Sequence, residues 1–209
     1  MAPPGADAPR GGSAWTTFNF NCMGVPLAAR PVTFIPRREL VELLDIYDHN
    51  RRLTGRVRRR GEVREPGEYG LVVCVWVYDG RGHLLLTRRA PGKSFAGTWE
   101  NSGGAAQAGE SSITAIRREL WEETGIEAEC SEFEYLDTSR DGSNFYDHYC
   151  LRRDVPIEKI KLLPGETDDA MWVTFETVHT LIRHGKVCRI IAEQFLQLES
   201  ELSKRQNAQ

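Results

Sequence analysis

The run "LVVCVWVY", Leu71 to Tyr78, constrains the fold more than any other segment. It carries no charge and is rich in β-branched and aromatic residues, which predicts a strand. A strand with one solvated face would alternate apolar with polar residues, and this one does not. Both faces must therefore be covered, which calls for a sheet lying between two other layers. "DGRG" follows, and then a second apolar run from His83 to Thr87, so the two runs read as a hairpin. Cys74 and Trp76 are expected in its core, because a buried free thiol behaves as a small hydrophobe.

A second segment, "GAAQAGESSITAIRRELWEETGI", spans residues 104–126. Ser111 or Ser112 suits a helix N-cap and Gly125 a C-terminal stop, so the spacing predicts a helix from Ile113 to Thr124. Its apolar face is Ile113, Ile116 and Leu120. At about 100° per residue, Glu119, Glu122 and Glu123 share a neighbouring arc, with Glu119 and Glu123 one turn apart. Like charges at that spacing destabilise a helix, and its C-terminal end favours cations instead. A solvated acidic helix face is the structural explanation. The chemical one is a platform for magnesium or manganese, hard ions that take carboxylate oxygens and share the oxygens of a phosphate compound.

The whole spacing decides between them. Gly104, five residues, Glu110, seven residues, Arg118-Glu119-Leu120, one residue, Glu122-Glu123, one residue, Gly125 and Ile126 follow in order. This resembles the signature of the Nudix hydrolases at every specified position, and the likeness extends more loosely from about Leu43 to Leu181. The resemblance implies an α/β/α sandwich with a mixed central sheet and a catalytic loop–helix–loop element. It implies Glu119, Glu122 and Glu123 as ligands of Mg2+ or Mn2+, with Glu110 supporting the site or reaching a metal through water. Arg118 would orient the carboxylates through salt bridges, and Gly104 and Gly125 would supply tight backbone conformations. One further acid from a distant loop, as ligand or general base, would be Glu166, with Asp168 and Asp169 as alternatives. The implied reaction is metal-dependent hydrolysis of a diphosphate bond in a nucleoside diphosphate-linked or related small molecule.

Other segments narrow the branch. "GEYGLVVCVWVYDGRGHLLLTRRAPGKSFAGTWENSGG" is similar to Nudix proteins related to isopentenyl-diphosphate isomerase, with Lys93, Phe95, Gly97 and Trp99 at motif positions and Ala96 where a Pro is usual. That isomerase needs a Cys and a metal-binding His shortly after this point, whereas Gly103 and Gly104 stand here, so hydrolysis is favoured. A non-catalytic diphosphate sensor would be expected to have lost metal glutamates, and none is lost. Arg88, Arg89 and Lys93 are candidate phosphate contacts, and Phe95, Trp99, Phe145 and Tyr146 are candidate stacking surfaces. The five histidines form no ligand spacing and read as structural or exposed.

The rest of the 209 residues frames this core. Residues 1–33, rich in Gly, Pro and Ala, read as a flexible extension, and 34–209 as the catalytic domain. A turn or helix near Arg37 to Leu44 is expected to lead into a strand near Tyr47, with Thr54-Gly55 reversing the chain. The basic run Arg56, Arg58, Arg59 and Arg60 reads as a charged edge strand, with phosphate binding as its alternative. Two strands follow the helix, then a strand running into a short helix, then a C-terminal packing helix over about 187–204 with Ile190, Ile191, Phe195 and Leu198 at helical spacing. A net charge of -3 from interleaved 27 basic and 30 acidic side chains argues against nucleic acid or an anionic membrane as partner. The five scattered cysteines fit a reducing, cytoplasmic setting, and no apolar run is long enough to span a bilayer. A homodimer is expected from the family resemblance.

Overall fold

The computed structural model describes residues 41–207. The expectations for residues 1–33 and for the turn or helix beginning at Arg37 lie outside the described residues. Leu43, at the end of that predicted turn, already belongs to β1 (Leu43–Tyr47), which pairs antiparallel with β2 (Leu53–Arg59).

The chain reverses before Thr54-Gly55, between Tyr47 and Leu53. There the Asp48 carboxylate accepts from the backbone N–H of Asn50 and of Arg52, at 2.8 and 2.9 Å. An Asp that bonds its own following backbone makes a turn without glycine. Arg51 takes a φ of 60° in this turn, while Gly55 lies within β2 at a φ of 77°.

β3 (Gly70–Tyr78) is the central strand. It runs parallel to β8 (Asn144–Arg152) from Gly70 opposite Asn144 to Tyr78 opposite Arg152. Its other edge is taken by β6 (Ser102–Ala105), antiparallel, and β7 (Glu134–Asp141) continues the sheet beyond β8. The predicted hairpin partner, β4 (Leu84–Arg89), meets β3 only at Tyr78 and Leu84. Beyond that rung β4 pairs with β9 (Thr167–Val173) and with the short β5 (Trp99–Glu100). The hairpin is thus a joint between two halves of the sheet. Its turn is fixed by the buried Asp79 carboxylate, which accepts from the N–H groups of Arg81 and His83 at 2.9 and 2.8 Å.

The uninterrupted apolar run is explained by what covers it. Leu71, Val73, Val75 and Val77 pack with Ile116 and Leu120 of α1 (Ser112–Thr124) on one face. Trp76 and Tyr78 pack on the other with Val178 of α2 (Phe175–Arg183) and Phe195, Leu198 and Leu202 of α3 (Arg189–Asn207). This is an α/β/α arrangement around a mixed sheet. Trp76 and Phe195 are both fully buried with ring centroids 5.5 Å apart, and side chains of that kind contribute roughly 2–3 kcal/mol each by leaving water. Phe145 and Tyr146, considered above for stacking, are core residues too. The four described cysteines are free, and no helix among the described residues is long and apolar enough to cross a membrane.

Candidate active site

α1 carries the acidic side chains and is capped at both ends as its sequence predicts. The Ser111 hydroxyl accepts from Thr114 N–H at 3.2 Å, and Gly125, left-handed at a φ of 70°, donates its N–H to the Trp121 carbonyl at 2.8 Å. Tyr149 and Ser112 anchor the first turn, with Ser112 donating to the buried carboxylate of Asp147 at 2.5 Å and Tyr149 donating to Ser112 at 2.8 Å. Asp147 also accepts from Arg51.

Arg118 ties the candidate acids together. Its Nε and Nη2 donate to the two Glu110 oxygens at 2.7 and 2.8 Å, and its Nη1 to Glu119 at 2.7 Å and Glu122 at 3.1 Å. Nη2 also reaches the Ala105 carbonyl at 3.2 Å. Burial opposes its charge, but the hydrogen bonds and charges of Glu110 and Glu119 outweigh burial and hold Arg118 more firmly protonated. Glu110 also accepts from the N–H of Gln107 at 2.8 Å, which closes the loop entering α1.

Glu119 is 4% exposed, and the space for its carboxyl exists because position 104 has no side chain. A Cβ built on Gly104 would stand 2.4 Å from the Glu119 carboxyl carbon. Gly104 lies in β6 and is not among the glycines with positive φ, so it provides room here, not the tight backbone conformation that Gly125 does. At Gly103 the obstruction would be backbone, the Val73 carbonyl oxygen at 2.3 Å. Its N–H donates to Glu123 at 3.1 Å. Burial, and then the charges of Glu119 and Glu100, push the Glu123 carboxyl well above the usual carboxylate range.

Glu166 precedes β9, and its carboxylate accepts from Lys93. Its backbone carbonyl accepts from Ala90 N–H at 2.9 Å, which sets the Lys93 loop beside it. Arg89 grips both oxygens of Glu100 through Nη1, at 2.8 and 2.6 Å. Arg88 is turned elsewhere, to Asp168 at 2.7 Å, with its guanidinium 5.6 Å from the centre of the Trp99 ring. Asp169 lies with that pair, at 3.5 Å from Arg88. Phe95 is 59% exposed at a φ of 57°.

Glu100 is the acid that sequence reasoning missed. Pairing opposite Thr87 places it in the cluster, where burial raises its pKa against the pull of Arg89. Its only trace in the sequence is being the one charged residue between Phe95 and Gly109.

Among the described residues, no three His, Cys, Asp or Glu side chains stand close enough to form a ready-made ion site. The donors nevertheless suit magnesium or manganese. They are hard carboxylate oxygens, and Glu119 and Glu100 crowd their charges against Glu123. The histidines contribute nothing to this cluster, and His148 lies buried in β8 with its Nε2 2.8 Å from the Ser139 hydroxyl.

Residues 68–191 match the family described as the NUDIX domain. A relative from Listeria monocytogenes, named as an uncharacterized Nudix hydrolase, is 32% identical over 148 residues, 70% of this chain and 88% of the relative. An isopentenyl-diphosphate Delta-isomerase of Aromatoleum aromaticum is 28% identical over 64% of this chain and 71% of its own length. Among solved structures, a Deinococcus radiodurans protein superposes with a TM-score of 0.65 at 26% identity, over 75% of this chain and 98% of that protein.

Proposed function

The chain belongs to the Nudix hydrolase family, and from that premise we propose that it hydrolyses a diphosphate bond in a nucleoside diphosphate-linked or related small molecule, with magnesium or manganese as cofactor. The observation that carries this reading is the Arg118 guanidinium holding Glu110, Glu119 and Glu122 at once, on the helix that also bears Glu123. One cation fixing three acids offsets the repulsion that their closeness would otherwise cost the helix.

Glu119, Glu122 and Glu123 would hold the metal, with Glu110 behind them. When bound, the ion neutralises diphosphate oxygens and lowers the pKa of a coordinated water. The protein's own residues then do the rest. Arg118 keeps Glu119 and Glu122 aimed through the hydrogen bonds of its Nη1. Lys93, paired with Glu166, and Arg89, paired with the part-buried Glu100, would exchange carboxylate for phosphate oxygens. Glu166, held on its strand end, is the candidate to accept a proton from water.

The isomerase reading is opposed by packing. A side chain at Gly103 would meet the Val73 backbone, and one at Gly104 would displace the Glu119 carboxyl, so a Cys at either position could not stand beside this acid cluster as it is built. A panel of nucleotide sugars, nucleoside triphosphates, dinucleotides, thiamine-type diphosphates and isoprenoid diphosphates tests the proposal. Metal-dependent cleavage of one member supports it, and cleavage that persists in excess chelator refutes it. Assembly as a homodimer belongs to the same proposal and is read by sedimentation.

A further inference from the structure

The basic run 56–60 divides in the fold. Arg56 and Arg58 both reach the buried carboxylate of Glu68, at 2.8 and 3.1 Å, and their charge is used there. Arg60 lies at the open end of the β1–β2 pair. Its N–H donates to the Glu42 carbonyl at 2.8 Å and its Nη1 to the Glu42 carboxylate at 2.7 Å.

That end of the pair is joined to the loop entering α1. Ala108 N–H donates to the Leu43 carbonyl at 2.8 Å, and Gly109 N–H to the Asp45 carboxylate at 2.7 Å. The next residue is Glu110, which grips Arg118. Arg60 therefore borders the acidic cluster. Burial works against its charge, but Glu42, and after it the charges of Glu119 and Glu166, hold it protonated. Half of its side chain, 52%, is still exposed, and an ion pair as open as that with Glu42 contributes only about 0.2–1 kcal/mol. The guanidinium is thus lightly held, drawn toward the acids and open to solvent.

We propose that Arg60 leaves Glu42 to bind the substrate's diphosphate at the rim of the acidic cluster, making it a positioning residue from outside the signature segment. A guanidinium fork matches phosphate oxygens with paired donors, and the ion pair Arg60 would give up is with Glu42, not with a candidate metal ligand. The inference rests on the proposed metal-dependent hydrolysis, and its test separates the two.

The full chain is titrated first with manganese, followed by electron paramagnetic resonance, and then, manganese-loaded, with imidodiphosphate, a non-hydrolysable probe, by calorimetry. Wild type, Arg60→Gln and Arg59→Gln are compared, with melting temperatures as the folding control. Manganese affinity should be the same in all three. Imidodiphosphate affinity should fall about tenfold in Arg60→Gln alone, the loss of one charge-assisted contact. Equal imidodiphosphate binding by Arg60→Gln and wild type, or no such binding by manganese-loaded wild type, overturns the inference and leaves the metal reading standing. Loss of manganese affinity in Arg60→Gln also overturns it, since Arg60 would then act on the acids. A wild type that binds no manganese removes the metal reading and this inference with it.

Discussion

Gly104 and Glu119 meet so closely that a Cβ at position 104 would lie 2.4 Å from the Glu119 carboxyl carbon. The obstructed group is the far end of a flexible side chain. At the neighbouring Gly103 it is the Val73 backbone carbonyl, 2.3 Å from a Cβ. Gly104→Ala should therefore fold almost normally but lose turnover by about 10²-fold, because a carboxylate displaced by an ångström no longer meets its partner. Gly103→Ala should lower the melting temperature instead. Melting curves beside activity per folded molecule read the contrast, and equal effects at both sites would refute it.

Arg118→Met leaves Glu110, Glu119 and Glu122 without their shared cation. Breaking a largely buried pair from one side strands the other charges, so stability should drop by about 3 kcal/mol and activity should vanish. Arg118→Lys keeps the charge but not the fork and should recover part of the stability with little of the activity. Urea unfolding of both variants checks this, and a Met variant as stable as wild type would show that the acids need no counter-charge.

Buried His148 should make the fold lose stability in mild acid. Burial pushes its pKa down to about 4, against the charges of Asp137 and Asp147. The unfolded chain takes up the proton near pH 6.5, so the stabilising difference is whole above that pH and lost as pH falls toward 4. Unfolding free energy should decline by about 3 kcal/mol between pH 7 and pH 4, and His148→Gln should flatten that slope. Urea titrations across this range decide it, and an unchanged slope in the variant would exclude His148 as its source.

Much of this was legible in the sequence because it depended on local chemistry. Ser111 and Gly125 announce the ends of α1 through their capping preferences, and the uncharged run 71–78 announces a strand covered on both faces. The losses share a cause, partners distant in sequence. The turn at Asp48 was hidden because the more conspicuous glycine, Gly55, sits inside a strand. The divergence of β3 from β4 depends on β6 and β9 claiming their edges. Glu100 reaches the acids only through its register opposite Thr87, and Arg88 and Arg89, adjacent in sequence, point to different acids because a strand alternates its faces.

Glu123→Gln tests the central claim most directly. It replaces a carboxyl whose charged form burial, Glu119 and Glu100 oppose with a neutral amide of the same shape, so the melting temperature should match or exceed that of wild type. Cleavage of the diphosphate panel with magnesium, manganese or chelator should fall by at least about 10²-fold in the variant at unchanged fold. Metal-dependent cleavage by wild type that disappears in Glu123→Gln is the predicted result, and undiminished cleavage by the variant would contradict the account.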